Sequence, residues 1–238
     1  MNDRNEKRHA KRRTLGLLSS AVAGAIALTL PGTSIAQSKG ALHIGYQKYG
    51  TLTILKARGT LDKRLAAQGI EVKWTEFPAG PQLLEGLNVG SIDFGTVGEA
   101  PPIFAQAAGA NLVYVANEPP APLSEGIVVP KNSTLKSVAD LKGKKVVLNK
   151  GSNVHYLLVK AMEKAGLNYK DIDVVYLPPA DARAAFERGS VDAWVIWDPF
   201  LAAAEKQLGA RILVDGKGLV ANHQFFLASR PYAEKNPE

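Results

Sequence analysis

No cysteine occurs anywhere in the sequence. This absence excludes a thiol nucleophile, a disulfide bond, a cysteine-ligated metal and a lipid anchor on a cysteine. The histidines His43, His155 and His223 show no metal-ligand spacing such as H-E-x-x-H, and the sequence contains no G-x-S-x-G nucleophile elbow. We therefore expect no catalytic residue, no metal and no cofactor in this protein.

Long hydrophobic runs are also scarce. The longest, residues 15–30, follows a head of six basic residues and precedes an A-x-A-like site, Ser34-Ile35-Ala36. This arrangement predicts a secretory signal peptide over residues 1–36, with cleavage after its last residue. The run is too short and too rich in Ala and Gly for a membrane-spanning helix. The Arg12-Arg13 pair leaves the twin-arginine route open, but because Lys11 precedes it we favour the general secretory route.

Most of the positive charge belongs to this segment. It carries six of the 29 Lys and Arg residues and two of the 22 Asp and Glu residues, so removing it lowers the net charge from +7 to +3. A charge this small removes the main argument for a nucleic-acid ligand. The other 202 residues are enough for one large domain or two small lobes. With no second apolar span, we expect a soluble periplasmic protein.

Strand and helix patterns alternate along the rest of the chain. In residues 41–115 this order implies a parallel sheet with both faces covered. Residues 118–122 contain three prolines, which forbid a helix or a sheet ladder and indicate a stiff connector. The alternation then restarts and runs to residue 214, so we expect a second lobe. Residues 215–222 would return the chain to the first lobe, where 224–228 is predicted as a strand.

One stretch of the sequence occurs twice. Residues 90–102 run Gly-Ser-aliphatic-Asp, an apolar strand, an acid and proline, and residues 189–199 repeat this order 99 positions later. The repeat aligns Glu99 with Asp198. Two interpretations stay open. The motif could simply turn a helix into a strand, with the acid as a helix cap, or two similar lobes could each end a strand at a common cleft.

Five stretches resemble the periplasmic aliphatic-sulfonate-binding proteins of ABC importers. The most specific is residues 95–109, Gly-Thr-Val-Gly-Glu-Ala-Pro-Pro-Ile-Phe-Ala-Gln-Ala-Ala-Gly. The other four are residues 44–48, 138–143, 179–186 and 193–199. Binding proteins for taurine, nitrate and thiamine precursors share the general pattern, so binding of one of those solutes is the alternative function.

The resemblance implies an α/β fold of the periplasmic binding protein type II class, with two lobes that each hold a mainly parallel sheet flanked by helices. It implies a monomer that closes on a sulfonate about a hinge. This monomer would then dock on the permease and ATPase subunits of an ABC transporter at the inner membrane and serve sulfur acquisition. Family members continue beyond residue 238, so we expect a truncated C-terminus. The expected segments are a signal peptide (1–36), the first part of lobe I (37–118), a hinge connector (119–125), lobe II (126–215) and an incomplete return to lobe I (216–238).

A sulfonate is a monoanion with three weakly basic oxygens, so it needs several hydrogen-bond donors more than a full positive charge. Helix N-termini supply such donors from backbone N–H groups. We expect the anion at Gly151, Ser152 and Asn153, where a strand ends and a long helix begins. Gly151 lets the backbone approach closely, and the next two side chains can cap or donate. The alternative is a plain helix cap with nothing bound.

Seven further residues are candidates for ligand contact. Gln47 offers a donor and an acceptor after the first strand, with exposed loop filler as the competing interpretation. Trp197 would cover an alkyl tail, whereas Trp194 on the same strand fits the core better. The remaining candidates are Gly98, Glu99, Ala100, His155 and Asp198. For His155 we favour a helix-surface or cap position over ligand contact.

Glu99 is the unexpected candidate, because a carboxylate repels a sulfonate. Two roles stay open for it: it receives an amine or hydroxyl elsewhere on the ligand, or it holds the cleft turn by accepting from backbone N–H groups.

Two other functions compete with solute binding. A related desulfinase uses this kind of fold with a cysteine nucleophile, which is missing here. A regulator's effector domain would need a DNA-binding helix pair where this chain has a signal peptide.

Overall fold

The computed structural model describes residues 40–237, so the signal peptide predicted for residues 1–36 lies outside the described residues. Within that range the chain forms two five-stranded sheets with helices packed against them. This confirms the predicted α/β fold with two lobes.

The first lobe contains the strand and helix alternation expected for residues 41–115. Its strands from this part are β1 (Gly40–Tyr46), β2 (Ile70–Glu76), β3 (Phe94–Gly98) and β4 (Leu112–Asn117). Its helices are α1 (Gly50–Arg58), α2 (Thr60–Ala66), α3 (Gly80–Asn88) and α4 (Ala100–Ala107). Gly59 separates α1 from α2 with a left-handed φ of 60°, a conformation that favours glycine.

The second lobe begins where the proline-rich connector ends. Its strands are β5 (Glu125–Val129), β6 (Lys145–Leu148), β7 (Asp173–Tyr176), β8 (Ala193–Trp197) and β9 (Arg211–Asp215). Its α-helices are α5 (Asn153–Lys164), α6 (Pro179–Glu187) and α7 (Phe200–Leu208). Short 3₁₀ helices occupy Pro122–Ser124, Val138–Leu141 and Tyr169–Asp171. The chain then returns to the first lobe as β10 (Gln224–Ser229) and α8 (Arg230–Lys235).

Both sheets have the same strand order. The first runs β2-β1-β3-β10-β4 and the second β7-β6-β8-β5-β9. The first three strands of each are parallel, whereas β10 and β5 pair antiparallel with both of their neighbours. Each sheet thus receives one antiparallel strand from the chain that crosses between the lobes. The alternation of strands and helices in residues 41–115 implies only parallel pairing in the first sheet. It carries no information about the direction of β10, which joins this sheet from a distant part of the chain.

The repeated Gly-Ser-x-Asp motif plays the same structural role in both lobes. Asp93 accepts a hydrogen bond from the backbone N–H of His43 at 2.8 Å, and Asp192 accepts one from the N–H of Lys145 at 2.8 Å. In each case the aspartate lies in the turn before one parallel strand, β3 or β8, and accepts from the backbone of the neighbouring parallel strand, β1 or β6. The motif therefore shapes a helix-to-strand turn, and the two turns belong to lobes of the same build.

The larger core lies in the second lobe. Strands β6 and β8 are buried along almost their whole length, as expected where helices cover both faces of parallel strands. Trp194 on β8 is 1% exposed and contacts the ring of Phe186, which confirms its predicted place in the core. The first lobe has a smaller core around Leu83, Leu87 and Val97. These cores hold the ends of β3 and β8 in fixed positions.

Candidate ligand-binding cleft

The carboxyl ends of the parallel strands from both sheets meet at one polar cavity. In α/β sheets, ligands bind at this end of the strands. The cavity measures about 30 Å³. It is lined by Gln47, Tyr49, Gly80, Gly98, Pro101, Glu125, Ser152, Asn153, Trp197, Asn222 and Gln224.

The start of helix α5 forms one wall of the cavity. Ser152 is the N-cap residue, with extended backbone dihedrals, and is 3% exposed. Its hydroxyl donates to the carbonyl of Asn149 at 2.7 Å. Gly151 precedes it with a φ of 74°, a left-handed conformation that glycine adopts without strain. The first N–H groups of a helix lack carbonyl partners within it, and the helix dipole makes this end favourable for an anion.

Asn153 joins the two lobes. Its Oδ1 accepts from the backbone N–H of Ala100 at 3.1 Å, and its Nδ2 donates to Oδ1 of Asn222 at 2.7 Å. A Cβ on Gly98 would overlap the Asn153 side chain, so only glycine fits there. The lobes therefore touch directly across the cavity.

Asn222 is the centre of a buried polar network on the return segment. It is 2% exposed and has a φ of 53°, a region that asparagine tolerates better than most residues. Its Nδ2 donates to the carbonyl of Ala121 in the connector at 2.9 Å. It thereby links the connector, the return segment and helix α5 at the edge of the cavity.

Glu99 holds the return segment by its backbone. Its two carboxylate oxygens accept from the N–H groups of Asn222 and His223, at 3.1 Å each. This is the second of the two roles left open by the sequence. Asp198, the residue that the repeat aligns with it, accepts from the N–H of Ala202 at 3.1 Å at the start of α7. Neither carboxylate lines the polar cavity.

His155 is engaged by neighbours in its own lobe. Its Nδ1 lies 3.1 Å from the backbone N–H of Gly151, which donates to it, and its Nε2 lies 2.9 Å from the hydroxyl of Tyr169. Burial, and then the charge of Lys150, lower the pKa of His155. A neutral imidazole with both nitrogens occupied fits a capping role at the start of α5.

Five of the ten predicted site residues line the polar cavity: Gln47, Gly98, Ser152, Asn153 and Trp197. Ala100 reaches its edge only through the N–H that donates to Asn153. The other four predicted residues, Glu99, Gly151, His155 and Asp198, lie outside the lining. Six lining residues were missed by the sequence analysis: Tyr49, Gly80, Pro101, Glu125, Asn222 and Gln224.

Glu125 is the most unusual of the missed residues. It is 0% exposed, and neither carboxyl oxygen has a hydrogen-bond partner among residues 40–237. Burial, and then the negative charge of Glu99, raise the pKa of Glu125 to about 8. None of the residues that line the cavity is Lys or Arg. The cavity therefore combines neutral donors with a carboxyl group whose surroundings favour its protonated form.

A larger cavity of about 1000 Å³ lies next to the polar one. Most of its lining is apolar, including Ile103, Phe104, Val220 and Phe225, and Ala100 lies at the boundary between the two cavities. Lys and Arg are absent from the lining of the larger cavity as well. In the part of the chain that the structure describes, no cluster of His, Cys, Asp or Glu could hold a metal ion. No helix among these residues is long and apolar enough to cross a membrane.

Comparison with known proteins places this geometry in a family. The family described as NMT1/THI5 like matches residues 65–238. The chain belongs to this family. A relative from Escherichia coli (strain K12), named as an aliphatic sulfonates-binding protein, is 52% identical over 221 residues, which are 92% of this chain and 69% of the relative.

Two solved structures from the same group share the fold. The alkanesulfonate-binding protein SsuA from Xanthomonas axonopodis pv. citri, bound to MOPS, is 52% identical with a TM-score of 0.78, over 82% of this chain and 67% of that one. The periplasmic aliphatic sulphonate binding protein SsuA from Escherichia coli is 56% identical with a TM-score of 0.72, over 84% of this chain and 68% of that one. The chain spans about two thirds of the length of these relatives. The match confirms the two-lobed periplasmic binding protein fold.

Proposed function

We propose that this protein is the periplasmic solute-binding component of an ABC importer and that it binds an aliphatic sulfonate between its lobes. The observation that carries the proposal is the polar cavity at the start of α5. Its donors are hydroxyl and amide groups and backbone N–H groups, and its lining holds no Lys or Arg. A sulfonate spreads one negative charge over three weakly basic oxygens, so a set of neutral donors matches it better than a single cation does.

The relatives support this assignment of ligand class. The relative from Escherichia coli is named for aliphatic sulfonates, and the one from Xanthomonas axonopodis pv. citri holds MOPS, itself a sulfonate. In this chain, Asn153 would donate to the sulfonate oxygens, and so would Ser152 once its hydroxyl turns away from the carbonyl of Asn149, with Gln47 and Gln224 on the opposite wall. Trp197, which is 7% exposed at the end of β8, would pack against the alkyl part of the ligand.

Taurine is the second candidate ligand, and one observation favours it. The cavity contains the buried carboxyl group of Glu125, which has no hydrogen-bond partner among residues 40–237. An ammonium group beside it would favour the ionised form, and the carboxylate would then accept from the ammonium group of an aminosulfonate. A comparison of alkanesulfonates with taurine therefore decides between these two ligand types.

We place the mature protein in the periplasm, where it would act as a monomer and deliver its ligand to permease and ATPase subunits at the inner membrane. Export would use the general secretory route. Residues 119–125 would form a hinge connector, since this proline-rich segment and the return segment after β9 are the two crossings between the lobes. Closure about such a hinge would bury the ligand.

A thermal-shift panel tests the proposal. Methane-, ethane- and butanesulfonate, taurine, nitrate and sulfate are added in turn, because a ligand that binds only the native state raises the melting temperature by mass action. We expect the largest shifts with alkanesulfonates. A folded sample with no shift for any sulfonate would refute sulfonate binding, and a shift with nitrate alone would assign a different anion.

A further inference from the structure

Glu125 and Gln224 occupy equivalent positions in the two lobes. Gln224 begins β10 and pairs with Gly98, the last residue of β3. Glu125 begins β5 and pairs with Trp197, the last residue of β8. All four residues line the polar cavity. The first lobe therefore presents a neutral amide to the cleft at the place where the second lobe presents a carboxyl group.

The surroundings of Glu125 disfavour its ionised form. The titratable groups that act on it are Glu99 at the start of α4, whose charge is negative, and Tyr49 after β1. Burial is the largest cause that raises the pKa of Tyr49, and the carboxylates of Glu125 and Glu118 raise it further. The hydroxyl group of Tyr49 therefore stays neutral. His155 on α5 lines the apolar cavity instead. An isolated buried carboxylate without a cation or donor is costly, and such a group neutralises instead.

We infer that the carboxyl group of Glu125 is protonated in the ligand-free cleft and donates this hydrogen to an oxygen atom of the bound anion, which makes Glu125 a specificity-determining residue. The inference rests on the proposed function. A protonated carboxyl group has one O–H donor and nearly the shape of the Gln224 amide. Both lobes would then contribute a neutral donor from equivalent strands. An ionised Glu125 would instead repel the anion, so a sulfonate binds only to the protonated form.

The pH dependence of affinity tests this inference. Ethanesulfonate keeps its single negative charge throughout the neutral range, so its own protonation does not change. Titration calorimetry at pH 6, 7, 8 and 9 should give a constant affinity up to about pH 7 and an affinity about tenfold weaker at pH 9 than at pH 7, because the competent protonated fraction falls by that factor around a pKa of about 8.

Two variants identify the group responsible. Glu125→Gln should bind ethanesulfonate without the loss between pH 7 and pH 9, since its amide does not titrate. Glu85→Gln, which removes an exposed carboxylate on α3, should keep the loss. A carbon-13 NMR titration of the Glu125 carboxyl group in the ligand-free protein needs no variant and should show the protonated form at pH 7.

Three results would overturn the inference while leaving the proposed function intact. The first is an affinity of the unmodified protein that is the same at pH 7 and pH 9. The second is an ionised Glu125 at pH 7 in the NMR titration. The third is tighter binding of taurine than of ethanesulfonate, with that preference lost in Glu125→Gln, which would show a carboxylate that accepts from an ammonium group. Absence of sulfonate binding at pH 6, where Glu125 is protonated, would refute the proposed function itself and the donor role with it.

Discussion

Replacing Glu125 with Gln should stabilise the protein at neutral and alkaline pH, and this gain should disappear in acid. Burial raises the pKa of Glu125 from 4.5 to about 8 in the folded protein. The unfolded chain releases the proton near pH 4.5, whereas the folded chain holds it up to about pH 8. Between these limits the folded state binds one proton more, so its free energy of unfolding falls as the pH rises.

The size of the effect follows from this window. Each pH unit inside it costs about 1.4 kcal/mol, so the full window from 4.5 to about 8 amounts to about 5 kcal/mol. The Gln side chain does not titrate, and any fixed cost of burying its amide is the same at every pH. The stability of Glu125→Gln relative to the unmodified protein should therefore rise by about 4 kcal/mol from pH 5 to pH 8 and then level off.

Urea unfolding at pH 5, 7, 8 and 9 measures this difference directly. All other titrating groups are common to both proteins, so their contributions cancel. Glu85→Gln is the matched control, because Glu85 is exposed on α3 and surface charges contribute little to stability. A difference between Glu125→Gln and the unmodified protein that stays constant across this pH range would refute the reasoning, since Glu125 would then not be held neutral by its site.

The remaining predictions concern the contact between the lobes and the repeated motif. Gly98→Ala places a Cβ against the Asn153 side chain. Since overpacking costs about 1–3 kcal/mol, ethanesulfonate affinity measured by calorimetry should fall at least about fivefold, and an unchanged affinity would mean that the lobes do not meet at this point in the complex. Asp93→Ala and Asp192→Ala each remove the acceptor of a strand N–H, so each should lower the free energy of unfolding in urea by about 0.5–1.5 kcal/mol. A loss in only one of the two variants would argue against equivalent roles.

Local signals explain the parts of this protein that could be predicted from its sequence. The alternation of strand and helix patterns correctly indicated a sheet with helices in each lobe, and residues 224–228 were correctly predicted as a strand of the first lobe. Ser152 and Asn153 were found because a polar residue between a buried strand and a long helix is a local pattern. The repeat of Gly-Ser-x-Asp correctly indicated two lobes of the same build, because the motif makes the same turn twice.

Long-range strand pairing explains what was missed. Glu125 follows a proline-rich connector and looks like part of a loop, and only its antiparallel pairing with Trp197 places it in the cleft. The same is true of Gln224, which reaches Gly98 through a strand inserted from far along the chain. Asn222 could have been suspected only from its glycine-rich surroundings, since its buried network joins three distant segments.

We expect the start of α5 to hold a sulfonate in the cleft between the lobes. Titration calorimetry with ethanesulfonate at pH 6 compares the unmodified protein with a Ser152→Ala, Asn153→Ala double variant. The unmodified protein should show saturable binding, and the folded double variant an affinity at least about tenfold weaker, because one lost hydrogen bond to a charged group is worth about 1.5–3 kcal/mol. Equal affinity in the two proteins, or no binding to either, would contradict it.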